Sequence, residues 1–207
     1  NYETAKKCYN IAADKFHISA LFNRGRFYQF GWAVAADYKI AHQNYLMAAE
    51  RGHRVCQFLV GQALVEGIEG TPINLEEGAS WLLRAAEAGF LEAQAKIGLC
   101  YMVGTGVRRD FLEALNWSRK AAQGGHDWAQ YRTANLLIRH GNKGESEFVE
   151  AIKWLVLSYN QSEAEGERRH EFIKSDFEFL RTALPETVFE AACKAAEIDT
   201  DVKYGSS

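Results

Sequence analysis

Three of the six histidines, the four cysteines, one glycine-rich phrase and a few adjacent carboxylates are the residues with which this sequence could do chemistry. His17, His53 and His126 carry imidazoles of the kind that ligate zinc. Cys56 follows His53 by three residues, about one helical turn, a spacing at which an imidazole could deprotonate a thiol. Gly104-Thr105-Gly106 has the glycine density of a phosphate loop, but neither a preceding strand pattern nor a Gly-Lys-Ser/Thr ending. Glu76-Glu77 stands without a histidine or nucleophile nearby, at a place where acids favour a helix start. Cys8, Cys56, Cys100 and Cys193 are 48, 44 and 93 residues apart, a pattern offering neither a Cys-x-x-Cys knuckle nor a short disulfide ladder. Free thiols favour a reducing compartment, while a periplasmic or secreted setting stays open.

The elements that must position these residues follow from a repeat. Ala48-Ala49 to Gly52, Ala85-Ala86 to Gly89 and Ala121-Ala122 to Gly125 are near-copies spaced by 37 and 36 residues. Cys8, Asn44, Trp81, Trp117 and Trp154 recur at steps of 36, 37, 36 and 37, preceded by Ala5, Ala41, Gly78, Ala114 and Ala151. Asn1, Asp37, Asn74, Asp110 and Glu147 lie four residues further back and are expected as N-caps. Each unit therefore holds one helix from the capping residue to the Ala-Ala pair (the B helix). It is closed by a glycine able to take the left-handed conformation. The stretch between carries a second phrase, Ala20-Arg24-Gly25-Tyr28, Cys56-Val60-Gly61-Leu64, Ala93-Ile97-Gly98-Tyr101 and Ala129-Thr133-Ala134-Leu137, and is expected as the A helix. Small residues there admit close backbone approach, and the tryptophans are expected to fill the gaps between hairpins. With two prolines, 47% apolar residues and few alternating β-branched stretches, the chain is expected to be all-α: a right-handed α-solenoid of antiparallel helix pairs.

The repeat dissolves most of the chemistry. The three histidines occupy one repeat position, where the third copy has Phe90, and stacked helices lie roughly 8 to 10 Å apart, too far to share one ion. Cys56 stands in the slot of Ala20, Ala93 and Ala129, where packing demands smallness. No catalytic, cofactor or metal site is expected.

The residues Ile97-Gly98, Tyr101, Gly104-Thr-Gly106-Val107, Asp110, Ala114, Trp117, Ala121-Ala122 and Gly125 carry a family resemblance: the chain resembles the Sel-1-like repeats, relatives of the tetratricopeptide repeat, from residue 1 to about 160. Arg24 in place of leucine, Asn44 and Cys8 in place of the aromatic, and Leu157-Ser158 in place of the last Ala-Ala pair depart from the pattern. The resemblance implies a scaffolding, signalling or regulatory protein without catalysis. The alternative is an exported small-molecule-binding or hydrolytic repeat protein of the bacterial envelope, whose relatives carry paired cysteines within each repeat, absent here.

Residues 1-166 are expected to form the array, about four helix pairs after an N-terminal half repeat. Residues 167-198 are expected as capping helices, with Phe172, Ile173, Phe177, Phe179 and Leu180 on the first and Pro185 opening the second at N1. Residues 199-207 are expected as a flexible tail. A helix turns 100° per residue, so the core phrase of each A helix leaves an opposite face that would line an inner groove. Phe22, Arg26, Phe58, Gln62, Leu99, Met102, Trp128, Tyr131, Arg132, Asn135 and Ile138 lie on or beside it and are expected to bind a protein or peptide partner. Packing against the next A helix is the competing role for such positions. A net charge of -3 argues against nucleic acid, and no apolar run reaches the roughly 20 residues that would insert in a membrane. The sequence opens on Asn1 without a methionine, which leaves open whether a signal peptide or other residues precede it, and the oligomeric state is open too.

Overall fold

The computed structural model describes residues 2–141, 144–162 and 167–195. Its elements are α1 Tyr2–Asp14, α2 Ile18–Phe30, α3 Tyr38–Glu50, α4 Arg54–Glu66, α5 Leu75–Glu87, α6 Leu91–Val103, α7 Phe111–Gln123, α8 Asp127–His140, α9 Glu145–Ser162, α10 Glu167–Ala183 and α11 Glu186–Ala195. A short 3-10 turn, Ile68–Gly70, follows α4, and no strand occurs among the described residues. The chain divides into two compact units, residues 1–109 and 110–207. In the first, each helix from α1 to α5 packs on the one after it; in the second, α7 packs on α8, α8 on α9, and both α10 and α11 on α9. This is the expected all-α architecture of successive helix pairs. The cap expected at Asn1 and the tail 199-207, with residues 196-198 before it, lie outside the described residues.

The helix ends are set by the residues the repeat singled out. Asp37 accepts from Ile40 N (3.0 Å), Asn74 from Glu77 N (3.2 Å) and Asp110 from Leu112 N and Glu113 N (2.9 and 3.1 Å), satisfying amides that a helix start leaves orphaned. Glu147 is not a cap: α9 begins at Glu145, and the carbonyl of Gly144 receives Glu147 N and Phe148 N at 3.1 and 3.2 Å. Glutamate's longer chain fits the first turn of a helix rather than its boundary. Pro185 likewise stands one place outside N1, its carbonyl accepting from Val188 N and Phe189 N at 2.9 and 3.0 Å. At the B-helix ends, the amides of His53, Phe90 and His126 reach back to the first alanine of each pair, Ala48, Ala85 and Ala121 (3.1, 3.0 and 3.0 Å). Gly52, Gly89 and Gly125 take φ of 86°, 77° and 90°. This bond pattern is the Schellman closure, and it explains why glycine recurs there.

Within the first unit the cores are built from those same phrases. A Cβ on Gly61 would stand 2.8 Å from the carbonyl oxygen of Gly78, and one on Gly78 would stand 2.9 Å from that of Gly61, so α4 and α5 cross where both lack side chains. Gln57 and Gln94 add a link absent from the sequence reading: each Nε2 donates at 3.2 Å to the second alanine of the preceding pair, Ala49 and Ala86. Trp81, Trp117 and Trp154 are buried as expected, with Arg84 Cζ 4.6 Å and Lys120 Nζ 4.0 Å from the first two ring centres. On α10, Ile173, Phe177 and Leu180 are buried, whereas Phe172 and Phe179 face solvent.

Candidate functional site

Two of the three repeat histidines cap helices through their side chains, while His17 stands at the N-cap position of α2 without such a bond. His53 Nδ1 accepts from Cys56 N and His126 Nδ1 from Ala129 N, each at 3.2 Å, which requires the neutral ring. Burial holds the His53 pKa below the usual imidazole range, with the nearby Arg54 charge acting the same way. Cys56 is fully buried, and its thiol is pushed up to about 12, so the neutral thiol packs rather than reacts. Among the described residues no group of three His, Cys, Asp or Glu side chains is placed to hold a metal ion.

In the first unit, the expected partner-binding residues lie on α2, α4 and α6. Phe22 stacks on the ring of His53, centroids 4.9 Å apart and planes at 24°, while Phe58 meets Phe90 at 5.2 Å. In both pairs an A-helix aromatic touches the residue opening the next A helix, so part of its surface is spent on packing along the array. Gln62 donates to Glu66 Oε2 at 3.1 Å, and Glu66 also pairs with Lys96. Leu99 and Met102 are half-buried. Arg26 differs: its guanidinium lies 5.7, 5.9 and 5.1 Å from the ring centres of Phe22, Phe30 and Trp32.

In the second unit, Trp128 leaves 46% of its surface exposed on the first turn of α8 and stands edge-on to Tyr131, centroids 6.4 Å apart. Tyr131 and Asn135 turn toward α10. Asn135 Nδ2 approaches Asp176 Oδ2 at 3.5 Å, and Arg139 Nη2 lies 3.6 Å from Asp176 Oδ1. Burial, then the charge of Asp176 and a hydrogen bond to it, push the Tyr131 phenol up to about 12. Arg132 is half-buried. Ile138 is only 5% exposed and belongs to the core, a correction to its place on the expected binding face. An offset of nine residues from Ala129 is two and a half turns, where a modest drift carries a side chain inward.

Asp176 is the residue that sequence reasoning missed. It is 5% exposed and sits amid the apolar stripe Ile173, Phe177 and Leu180 of α10. An acid inside an i, i+3, i+4, i+7 apolar stripe is the signal that marks it, because burial of a carboxylate demands partners. What this α8 face does chemically is hold a helix-borne carboxylate with three polar side chains.

The Sel1 repeat pattern matches residues 1–15, 18–53, 54–90, 91–126 and 129–162. The chain is 32% identical over 136 residues to chitin synthase regulatory factor 4 of Schizosaccharomyces pombe, covering 64% of this chain and 20% of that protein. It is 27% identical over 147 residues to the chitin synthase regulator SKT5 of Saccharomyces cerevisiae, covering 69% and 20% respectively. The chain thus spans about a fifth of the length of these curated relatives. A Sel1 repeat protein from Oxalobacter formigenes superposes with a TM-score of 0.71 at 27% identity, over 97% of this chain and 78% of that one. The protective antigen c5321 of uropathogenic Escherichia coli, described as displaying the same repeat fold, gives 0.71 at 22% identity, over 99% and 39%. With the pattern matched over most of its length, the chain belongs to the Sel1 repeat family.

Proposed function

We propose that this chain is a non-catalytic protein-interaction module, a regulator or scaffold, whose A-helix faces hold a segment of a partner protein. The observation that carries the reading is Trp128, an indole left 46% exposed on a helix whose other large apolar residues are buried, braced edge-on by Tyr131. An exposed indole resting edge-on against a neighbouring ring offers the large aromatic area that anchors protein interfaces. Arg132 and Asn135 in the second unit, and Phe22, Arg26, Phe58, Gln62, Leu99 and Met102 in the first, extend the candidate contact set. Relatives named as regulators of chitin synthase support a regulatory role.

The test uses the partner recovered with the intact protein from its native source. Trp128→Ala combined with Tyr131→Phe is expected to weaken that complex by about 2 kcal/mol, roughly 30-fold in Kd, with helical circular dichroism retained and the urea midpoint lowered only by the loss of the Tyr131 hydroxyl beside Asp176. Phenylalanine is chosen at 131 because the ring supports Trp128. Undiminished affinity in the folded double variant removes the reading.

A further inference from the structure

The repeat register places Phe22, Arg26 and Phe30 of α2 in the positions that Tyr131, Asn135 and Arg139 hold on α8. On α8 these three positions converge on one carboxylate, Asp176, supplied by an amphipathic helix. On α2 they surround a cation instead. The Arg26 guanidinium faces Phe22, Phe30 and Trp32 at 5.7, 5.9 and 5.1 Å, and the Phe30 and Trp32 rings stack at 5.0 Å with planes at 26°. Phe30 is 54% exposed, so the cluster opens to solvent. Among the described residues no carboxylate lies within ion-pair distance of Arg26, whereas Arg24, two residues earlier, pairs with Asp14 at 2.7 Å. A second cation flanks the same loop: Lys6 Nζ donates to the carbonyl of Ala33 at 3.1 Å.

A guanidinium held between rings is partly dehydrated and fixed in orientation, so an arriving carboxylate gains a charge-assisted hydrogen bond with little further ordering. The rings beside it offer apolar area to residues flanking that carboxylate. We propose that the α2 face formed by Phe22, Arg26, Phe30 and Trp32 is a receptor for a carboxylate-bearing amphipathic segment of a partner protein. Such a segment has the chemistry that α10 presents to α8. The inference rests on the interaction reading above and narrows it to one face and one kind of ligand.

The probe is a synthetic peptide of the sequence of residues 167–183, with and without Asp176→Asn, titrated into the intact 15N-labelled protein. Saturable shifts are expected at the Trp32 indole and the Arg26 Nε resonances. Affinity should fall at least tenfold for the Asn peptide and for Arg26→Gln protein, partly recover in Arg26→Lys, and weaken as salt rises. Circular dichroism checks that the Arg26 variants fold. No binding, binding that ignores the Asp176→Asn change, or binding that Arg26→Gln leaves intact each overturns the proposal. Shifts confined to the Trp128 indole overturn it as well, while leaving the broader interaction reading in place. That reading fails separately, by indifference of the native complex to the Trp128 substitution.

Discussion

Phe16 shows how much a single residue is held against its own preference. It fills the slot that Gly52, Gly89 and Gly125 occupy, makes the same closure through Phe16 N to Ala13 O (2.8 Å) and His17 N to Ala12 O (3.1 Å), and adopts φ 59°. A side chain in the left-handed region costs roughly 1–2 kcal/mol. Its compensation is a contact with Arg51, whose Cζ lies 4.8 Å from the ring centre, at a site where the ring is 53% exposed. A cation–π pair that open to solvent returns about 0.5 kcal/mol. Phe16→Gly is therefore expected to stabilise the protein by up to about 1 kcal/mol, raising the urea midpoint, because relief of strain exceeds the lost contact and the added chain entropy. Gly89→Phe, in the same closure without an arginine recruited to it, should lower the midpoint. A lower midpoint in Phe16→Gly would mean that Phe16 is held by packing that outweighs its backbone. Nothing in the sequence flagged Phe16, since the missing glycine reads as an edge irregularity until the dihedral is seen.

Between helices α2 and α3, two departures from the repeat pattern turn out to be one. Arg24 stands where the pattern has leucine and Asn44 where it has tryptophan, and Arg24 Nε donates to Asn44 Oδ1 at 2.6 Å while Asn44 Nδ2 donates to Ile40 O at 2.7 Å. Asn44 is 3% exposed, so its carbonyl oxygen depends on Arg24 for its hydrogen bond. Arg24→Leu alone leaves that oxygen unpaired and is expected to cost about 1–3 kcal/mol. Asn44→Trp alone crowds a half-buried cation and takes away its acceptor. The pair Arg24→Leu with Asn44→Trp restores the apolar combination and should be less destabilising than the sum of the singles, by at least about 1 kcal/mol in a double-mutant cycle read by urea unfolding. Strict additivity would show that the two sites changed independently. The same pair marks the limit of what the sequence made legible. Helix order, caps at Asp37, Asn74 and Asp110, and buried tryptophans followed from spacing, because backbone amides and small-residue crossings impose the same demand in every copy. The exchange of Arg24 with Asn44, and the Asp176 partners on α8, did not follow, because each joins residues whose pairing depends on side-chain reach rather than on period.

At the scale of the whole molecule, a repeat array has a property a globular core lacks: its stability is close to a sum over neighbouring units, so a local change in charge stays local. Protonation of His53 tests this. The folded state favours its neutral ring, through burial and through the cap to Cys56 N, and its pKa lies below the ordinary value of 6.5. Between 6.5 and that lowered pKa the unfolded chain binds more protons than the folded one. The contribution of the cap is therefore complete above pH 6.5 and declines as pH falls through the folded pKa. Burial also lowers His42, opposed by the charge of Glu77, and adds in the same direction within the first unit. Hydrogen exchange at pH 5.5 against pH 7.5, corrected for intrinsic rates, should show protection falling in α3 and α4, by up to about 1 kcal/mol for the cap. Protection in α9 to α11 should change less. His53→Asn keeps a capping acceptor that does not titrate, so it should flatten the His53 part of the dependence and leave the part due to His42. An unchanged slope in His53→Asn would assign the acid sensitivity elsewhere, and an equal loss in α9 to α11 would show that the units unfold as one cooperative body rather than as neighbours.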